Sequence, residues 1–424
     1  MKKKPEFKQT ELGSFPEDWK ISTIEDIAEV VGGTTPSTNE PDNYGGNISW
    51  LTPKDLSNYR FRYIGKGERS ITEKGMKSKG IKLLPKGTVL LTTRAPIGYV
   101  AIAENELTTN QGFRNLVPGK KVDSEFLYYL LKNNIDRLIS NASGTTFSEL
   151  SGGTLKKMKF VFPQLEEQKA IGAILSSLDA KIELNIKINR VLETIGQALF
   201  KRWFIDFEFP DEKRRPYKSS GGEMVDSELG KIPKGWRIGT LGNICNITMG
   251  QSPPGETYNE EEKGLPFYQG VVDFDFRFPK LRVYCTFPTR FANEADILLS
   301  VRAPVGRLNI ADKHCAIGRG LAALNLKKGY AGYIYYLLSA HKSYWDKYEA
   351  EGTVFGCANK SDIHDMKIII PIENIKSIYD EIIMALDENI KRMSKEINIL
   401  TLIRDSLLPR LMSGKIRVPI EARE

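Results

Sequence analysis

Few residues in this chain have the types and spacing that catalysis needs. The run "FPDEKRR", Phe209 to Arg215, holds a Pro-Asp and an Asp-Glu-Lys. A metal-dependent nuclease needs those two elements well separated, so that their carboxylates converge on one metal. Here they overlap in a polar stretch. The "SPPG" at Ser252 to Gly255 is close to the Asn/Asp-Pro-Pro-aromatic loop that holds a flipped base. It lacks the amide or acid that would accept from an amino group, and the aromatic that would stack, so it reads as a turn. No G-x-x-x-x-G-K-[ST] phosphate loop occurs, and three histidines make no convincing Ser/His/Asp group. Cys245, Cys285, Cys315 and Cys357 form no C-x-x-C pair, and His314-Cys315 is the only cluster. The thiols read as small core residues. The expectation is a reader with no catalytic residue, no metal and no cofactor of its own.

What the chain has instead is positive charge. Its formal net charge is +8, unevenly placed. Lys54 to Lys86 holds ten Lys or Arg against three Asp or Glu, and Arg277 to Arg290 holds four basic residues and no acid. Such patches suit a polyanion, of which nucleic acid is the commonest large one. The plainer alternative is lysines that solubilise a surface. A length of 424 residues, 41% of them hydrophobic, exceeds one ordinary core and allows several domains. The basic start "MKKKPEFKQTELG" has no apolar run behind it, and no stretch approaches the length of a membrane span. A cytoplasmic protein with no membrane partner is expected.

The elements that carry these residues occur twice. Leu12 to Pro36 and Leu229 to Pro253 match at 9 of 25 positions at an offset of 217, including Trp19/Trp236 and Gly33/Gly250. "RAPIG" at Arg94 returns as "RAPVG" at Arg302, an offset of 208. "FLYYLL" (Phe126 to Leu131) answers "YIYYLL" (Tyr333 to Leu338), and "GTTFSEL" at Gly144 answers "GTVFGCA" at Gly352. A whole domain is duplicated. β-rich runs lead into each Ala-Pro-x-Gly turn, where proline fixes φ and glycine permits φ > 0. The arginine before the turn either braces it or faces a phosphate. Its recurrence with the strand pattern favours the brace for Arg94 and Arg302, and Arg319 is read the same way.

Each copy ends in a long helical pattern, Glu166 to about Phe204 and Glu373 to Leu408, about 50–60 Å each. Leu386, Ile390, Met393, Ile397, Leu400 and Leu407 follow four-three spacing, with Arg404 interrupting. The matching seam is Leu178, Ile182, Asn185, Asn189, Leu192, Gly196, Leu199 and Trp203. Either the two helices pair within the chain or each caps its own domain; the simplest arrangement pairs them antiparallel. The fold class expected is α+β: two tandem α/β domains, each followed by a long helix, with an internal pseudo-twofold. The boundaries expected are a first domain over 1–163, its helix over 164–207, a polar linker over 208–228, a second domain over 229–371, its helix over 372–412 and a tail over 413–424. DNA repeats every ~34 Å, so such a pair would set two half-sites about one turn apart.

The order of motifs is specific. "WKISTIEDI" and "WRIGTLGNI" open the domains, with "WLTPKDL" at Trp50 and "LPFYQG" at Leu265. Both "RAP[IV]G" turns follow, then "NQGF" at Asn110 and "IGRGL" at Ile317. "FPQLEEQKAIG" begins the first helix at Phe162, and "LFKRWFIDFEFP" and "LLPRLMSGKI" close the two helices. In these the chain resembles, over essentially its full length, the DNA-specificity subunit of type I restriction–modification systems. The resemblance implies a target-recognition domain in each copy, reading one part of a split, asymmetric site in double-stranded DNA. It implies two methyltransferase subunits docked on the helices, carrying S-adenosylmethionine and methylating adenine at N6. It implies restriction and translocation subunits that bring ATP and magnesium. The second helix begins "PIENIKSIYDEI" and lacks the Glu-Glu-Gln of the first, which bears on whether both helices grip a methyltransferase alike.

Base-reading residues are sought in the basic segments: Lys54, Tyr59, Arg60, Arg62 and Arg69 in the first domain, and Gln269, Arg277, Lys280, Arg282 and Arg307 in the second. Arg and Gln offer bidentate contacts to guanine and adenine edges, while lysines meet phosphates. The alternatives are a stand-alone two-module DNA-binding regulator or architectural protein, a self-contained enzyme, and a coiled-coil adaptor.

Overall fold

A computed structural model describes residues 6–94, 96–144, 148–348 and 356–418. Ala95 of the first Ala-Pro turn, and the stretches 145–147 and 352–355 of the last repeat pair, lie outside the described residues. The chain divides into two compact units. The first comprises the residues up to Asn185 and those from Glu396 on; the second is Ile186–Lys395. The division falls within both long helices.

In the first unit a five-stranded sheet runs Ala28–Gly32, Phe113–Pro118, Val89–Thr93, Ile97–Ala103, Tyr63–Ile64. Its centre, Val89–Thr93, is buried along its whole length, as a continuous apolar run at mid-sheet should be. In the second unit Cys245–Met249, Leu321–Leu326, Ile297–Ser300 and Leu308–Ile310 repeat the order of the first four of these strands, all antiparallel. A second sheet in each unit, of three strands in the first and five short strands in the second, carries the more divergent segments. The duplication read in the sequence is thus a duplication of sheet order. In both Ala-Pro turns the glycine takes positive φ, +103° at Gly98 and +84° at Gly306. The brace is a hydroxyl: Thr92 Oγ1 accepts from Tyr99 N (2.9 Å), and Ser300 Oγ, at the same place in the repeat, accepts from Arg307 N (2.8 Å).

The helices are Leu165–Phe200, continued by a π-helical turn at Lys201–Ile205, and Glu373–Met412. In the first unit Arg404 Nη1 meets Asp179 Oδ1 at 2.5 Å, and Asn185 Nδ2 donates to Glu396 Oε2 at 2.9 Å. In the second, Asn189 Nδ2 donates to Ser394 Oγ (3.2 Å) and Tyr379 Oη to the Gly196 carbonyl (3.4 Å). Numbers rise along one helix as they fall along the other, so in each unit the segments pair antiparallel. Ile182 and Ile390 are buried, and Leu178, Leu192, Leu199, Leu386, Met393, Ile397, Leu400 and Leu407 are half-buried. Arg404 does not interrupt the seam. It neutralises Asp179, which also accepts from Tyr129 Oη at 2.6 Å.

Each domain core is closed by the start of one helix and the end of the other. Ile171 and Leu175 join Leu411 and Met412 beneath the first domain. Ile375, Tyr379 and Ile383 join Phe200, Trp203 and Phe204 beneath the second. The stretch beyond the first helix is not a free linker at its start. Phe207 and Phe209 are buried, and Phe209 stacks between Trp236 (5.0 Å) and Tyr217 (4.5 Å). Burial of aromatic area outweighs the polar composition around it.

Two arginines expected at DNA belong to this framework. Arg62 pairs with Glu125 (3.0 Å) and Glu183 (3.2 Å). Arg277, whose side chain is fully buried, pairs with Glu193 and with Asp387 (3.0 Å), under the Tyr335 ring. They hold the same place in the repeat, since the carbonyls of Arg62 and Arg277 accept from Ile102 N and Ile310 N, offset by 208. Each ties the sheet of its domain to a long helix.

Arg277→Met leaves two carboxylates without their cation and should cost about 3–5 kcal/mol in a urea titration. Adding Asp387→Asn should return part of that loss; strict additivity of the two changes would contradict the pairing. Asp380 caps the helix Gly332–Ala340 by accepting from Tyr333 N at 2.9 Å. Burial pushes its carboxyl up to about 6, against the pull of the Tyr333 amide and Lys376. The folded state therefore keeps a proton that the unfolded chain has released, and this group's contribution to stability falls as pH rises from about 4 to about 6. Asp380→Asn keeps the acceptor and loses the titration. Its stability relative to wild type should rise between pH 4.5 and 6.5, and a pH-independent difference would refute the assignment.

Candidate nucleic-acid interface

With Arg62 and Arg277 withdrawn, the remaining sequence candidates lie on or near the surface. In the first domain Lys54 is exposed and paired with Glu68 at 2.8 Å. Tyr59 is exposed, donates to the Tyr63 carbonyl at 2.6 Å and meets Phe61 edge-on. Arg60 is exposed beside it. Arg69 lies over the rings of Tyr44 (4.7 Å) and Trp50 (5.1 Å), which fixes its guanidinium at the edge of the small sheet.

In the second domain three candidates converge on one residue that composition did not single out. Asp273 is buried, and its Oδ2 accepts from Gln269 N at 2.6 Å. Its Oδ1 accepts from Arg282 Nε (3.2 Å) and lies 3.1 Å from Arg282 Nη2. Its carbonyl accepts from Lys280 N at 2.7 Å. The loop between the strands Leu265–Tyr268 and Tyr284–Cys285 is thereby folded around one carboxylate. Arg282 is held by one edge of its guanidinium while its side chain remains 46% exposed, and the other edge has no partner among the described residues. The same loop exposes Val272 (72%) and Phe276 (40%), and Phe287 (70%) stands just beyond it. Arg307 is exposed. A hint of Asp273 was present: the acid-free stretch from Arg277 to Arg290 needs its counter-charge from just outside.

The motifs that could suggest catalysis are occupied by local structure. Asp211 of "FPDEKRR" accepts from Lys213 N and Arg215 N (both 2.8 Å), and from Arg215 Nε at 3.1 Å. The Pro253 carbonyl of "SPPG" accepts from Tyr258 Oη at 2.8 Å. Among the described residues no three His, Cys, Asp or Glu side chains come together to hold a metal. Burial pushes the Cys245 and Cys315 thiols up to about 12, as core thiols rather than nucleophiles. No helix among the described residues is long and apolar enough to cross a membrane.

The Glu-Glu-Gln element also has a local account. Glu167 accepts from Trp19 Nε1 (3.2 Å) and from Arg417 Nε (2.7 Å), and Gln168 Nε2 donates to the Lys121 and Pro163 carbonyls. Both are buried. In the second copy Ile375 stands where Glu167 does, and Trp236 Nε1 has no hydrogen-bond partner among the described residues. At Glu167 the difference between the helices is one of core packing, while Glu166 is exposed.

Comparison with known proteins gives the same reading. The type I restriction modification DNA specificity domain matches residues 16–194 and again 233–402. The Type I restriction enzyme MjaIX specificity subunit of Methanocaldococcus jannaschii is 39% identical, over 97% of this chain and 97% of its own length. The HindI specificity subunit of Haemophilus influenzae is 24% identical, over 94% of this chain and 100% of its own. The crystal structure of a type I restriction–modification S subunit from M. genitalium shares the fold at a TM-score of 0.61 and 19% identity, covering 96% of this chain and 98% of that one. The chain belongs to the family of type I restriction–modification DNA-specificity subunits.

Proposed function

We propose that the chain reads a bipartite, asymmetric site in double-stranded DNA, one part by each recognition domain. It would present that DNA to methyltransferase subunits docked on the paired helices, and to restriction subunits of the same complex. The observation that carries this reading is the duplicated sheet, accompanied in each unit by a second sheet with divergent, basic loops. One framework with two different faces suits a sequence with two different halves. The chemistry would lie elsewhere. S-adenosylmethionine would come with the methyltransferase subunits, and ATP and magnesium with the restriction subunits, in the cytoplasm.

Each unit exposes apolar side chains on its helix segments. In the first unit Leu184, Ile399 and Leu402 are 50%, 58% and 70% exposed, and in the second Val191 is 58% exposed. Apolar side chains in that number on charged helices support docking of a partner's helices.

The test is a map of N6-methyladenine in cells expressing the chain with its methyltransferase subunit, against the subunit alone. A split motif that appears only with the chain is expected; tight, specific DNA binding by the chain without any partner, and no new methylation, would favour the stand-alone regulator. Within that assay Arg282→Ala should relax one base pair of one half, a discrimination of about 1–3 kcal/mol, and leave the other half intact. Asp273→Asn, which loosens the guanidinium, should relax the same base pair more weakly. A motif unchanged by either would remove Arg282 from the reading face.

A further inference from the structure

The second sheet of the first domain carries a corner of two rings. Tyr44 and Trp50 lie on the strand Tyr44–Leu51 and meet edge-on at 5.8 Å. Both are anchored to the segment just beyond Ala28–Gly32. Trp50 Nε1 donates to the Thr34 carbonyl at 3.0 Å, and Tyr44 Oη to the Pro36 carbonyl at 2.9 Å. Arg69 stands across from Trp50 on the strand Arg69–Ile71, which is an edge of this sheet. Its guanidinium lies over both rings.

The second domain builds the same corner. Tyr258 Oη donates to the carbonyl of Pro253, which answers Pro36 at the offset of 217. The Tyr258 ring meets Phe267 at 4.8 Å, and Phe267 answers Trp50 at the same offset. Trp50 pairs with Thr108, and Phe267 pairs in the same parallel sense with Ala316, which answers Thr108 at the offset of 208. Phe267 N donates to the Val283 carbonyl at 2.9 Å, so Val283 stands across from Phe267 as Arg69 does from Trp50. Val283 is buried in one cluster with Phe267 and Tyr258. An aliphatic side chain therefore closes this corner, and the fold does not need an arginine there.

The charge around Arg69 is largely spent. Lys54, Lys74, Lys77 and Lys82 each meet a carboxylate within 3.3 Å. Arg69 is exposed, and its guanidinium has no ion-pair or hydrogen-bond partner among the described residues. A ring face holds a cation without supplying a lone pair, so the N–H fork keeps all its donors. A guanidinium fixed in place with its donors unspent is preorganised for a pair of acceptors in one plane.

We infer that Arg69 reads a guanine in the half-site of the first domain, donating to O6 and N7 in the major groove while Tyr44 and Trp50 hold the fork in position. This rests on the DNA-reading function proposed above and names a base that one half must contain. Guanine presents two acceptors side by side on its major-groove edge, which matches a group that only donates. Adenine sets a donor beside its acceptor there and would turn one N–H against another. A phosphate accepts from a cation in many orientations and gains little from two rings that fix one. The second domain, with valine at this place, makes no such contact from its own corner.

The experiment maps N6-methyladenine in cells that express the full chain with its methyltransferase subunit, wild type and variants side by side. The wild type should give a split motif with a G·C pair in one half. Arg69→Val installs the side chain that the second copy carries at this corner. It should bring the preference for G at that position from about 10–100-fold to near parity and leave the other half unchanged. Arg69→Lys keeps the charge, loses the fork and should relax the same position. Tyr44→Leu removes one of the two rings and should relax that position more weakly. If Arg69→Val abolishes methylation through the fold, Arg69→Lys decides: a relaxed position supports the inference and an unrelaxed one overturns it. A split motif that Arg69→Val leaves unchanged would overturn this inference alone. So would methylation lowered at every site alike by Arg69→Val and restored by Arg69→Lys, the mark of a phosphate contact. No split motif from the wild-type complex would overturn the DNA-reading function and this inference with it.

Discussion

The structure depends on two buried aspartates. Asp179 and Asp387 stand at the same place in the two long helices, 208 residues apart, and each is 4% exposed. A carboxylate so placed must be neutralised and hydrogen-bonded or the site does not form. Asp179 is answered by Arg404 from the opposing helix and Tyr129 from its domain. Asp387 is answered by Arg277 and by Tyr330, at 2.7 Å, both from its domain. Neither helix can slide along its partner or lift from its domain without stranding one of these charges. That fixes register more sharply than the half-buried aliphatic seam could.

The exchanged cores follow from the same constraint. Because the helices run antiparallel, the end of each lies beside the start of the other, and each domain is closed by both. Trp19 and Trp236 mark the two places where this happens. At the first, the chain after the second helix returns, with Arg417 gripping Asp18 and Glu167. At the second, Phe207 and Phe209 fill the equivalent role with aromatic packing. One half of the duplication uses charge and the other uses area, which is why the two junctions share so few residues.

The repeat, the sheet-turn-sheet pattern and both long helices were legible in the sequence, because each rests on local periodicity or on comparison of the chain with itself. The framework arginines were not. Arg62 looks like any member of a basic run, and the carboxylate that claims it, Glu183, is 121 residues away. Arg404 looks like a fault in a heptad until Asp179 is seen beneath it. Phe207 and Phe209 sit in a charged stretch, and composition averages them away. The reading surface is legible only in part. Lys54, Arg60, Arg69 and Arg282 announce themselves by charge, but the residue that folds the second reading loop is an acid, Asp273. Net charge counts such a residue against the surface it builds.

The account makes each recognition domain an independent reader on a common pair of helices, its loops shaped by contacts within its own unit. The measurement that tests this most directly replaces residues 12–162 with the corresponding domain of another family member, keeps both long helices, and maps N6-methyladenine in cells. The account requires one half of the methylated motif to change and the other to persist. A change in both halves, or loss of methylation from a complex that still assembles, would show that the domains do not read separately.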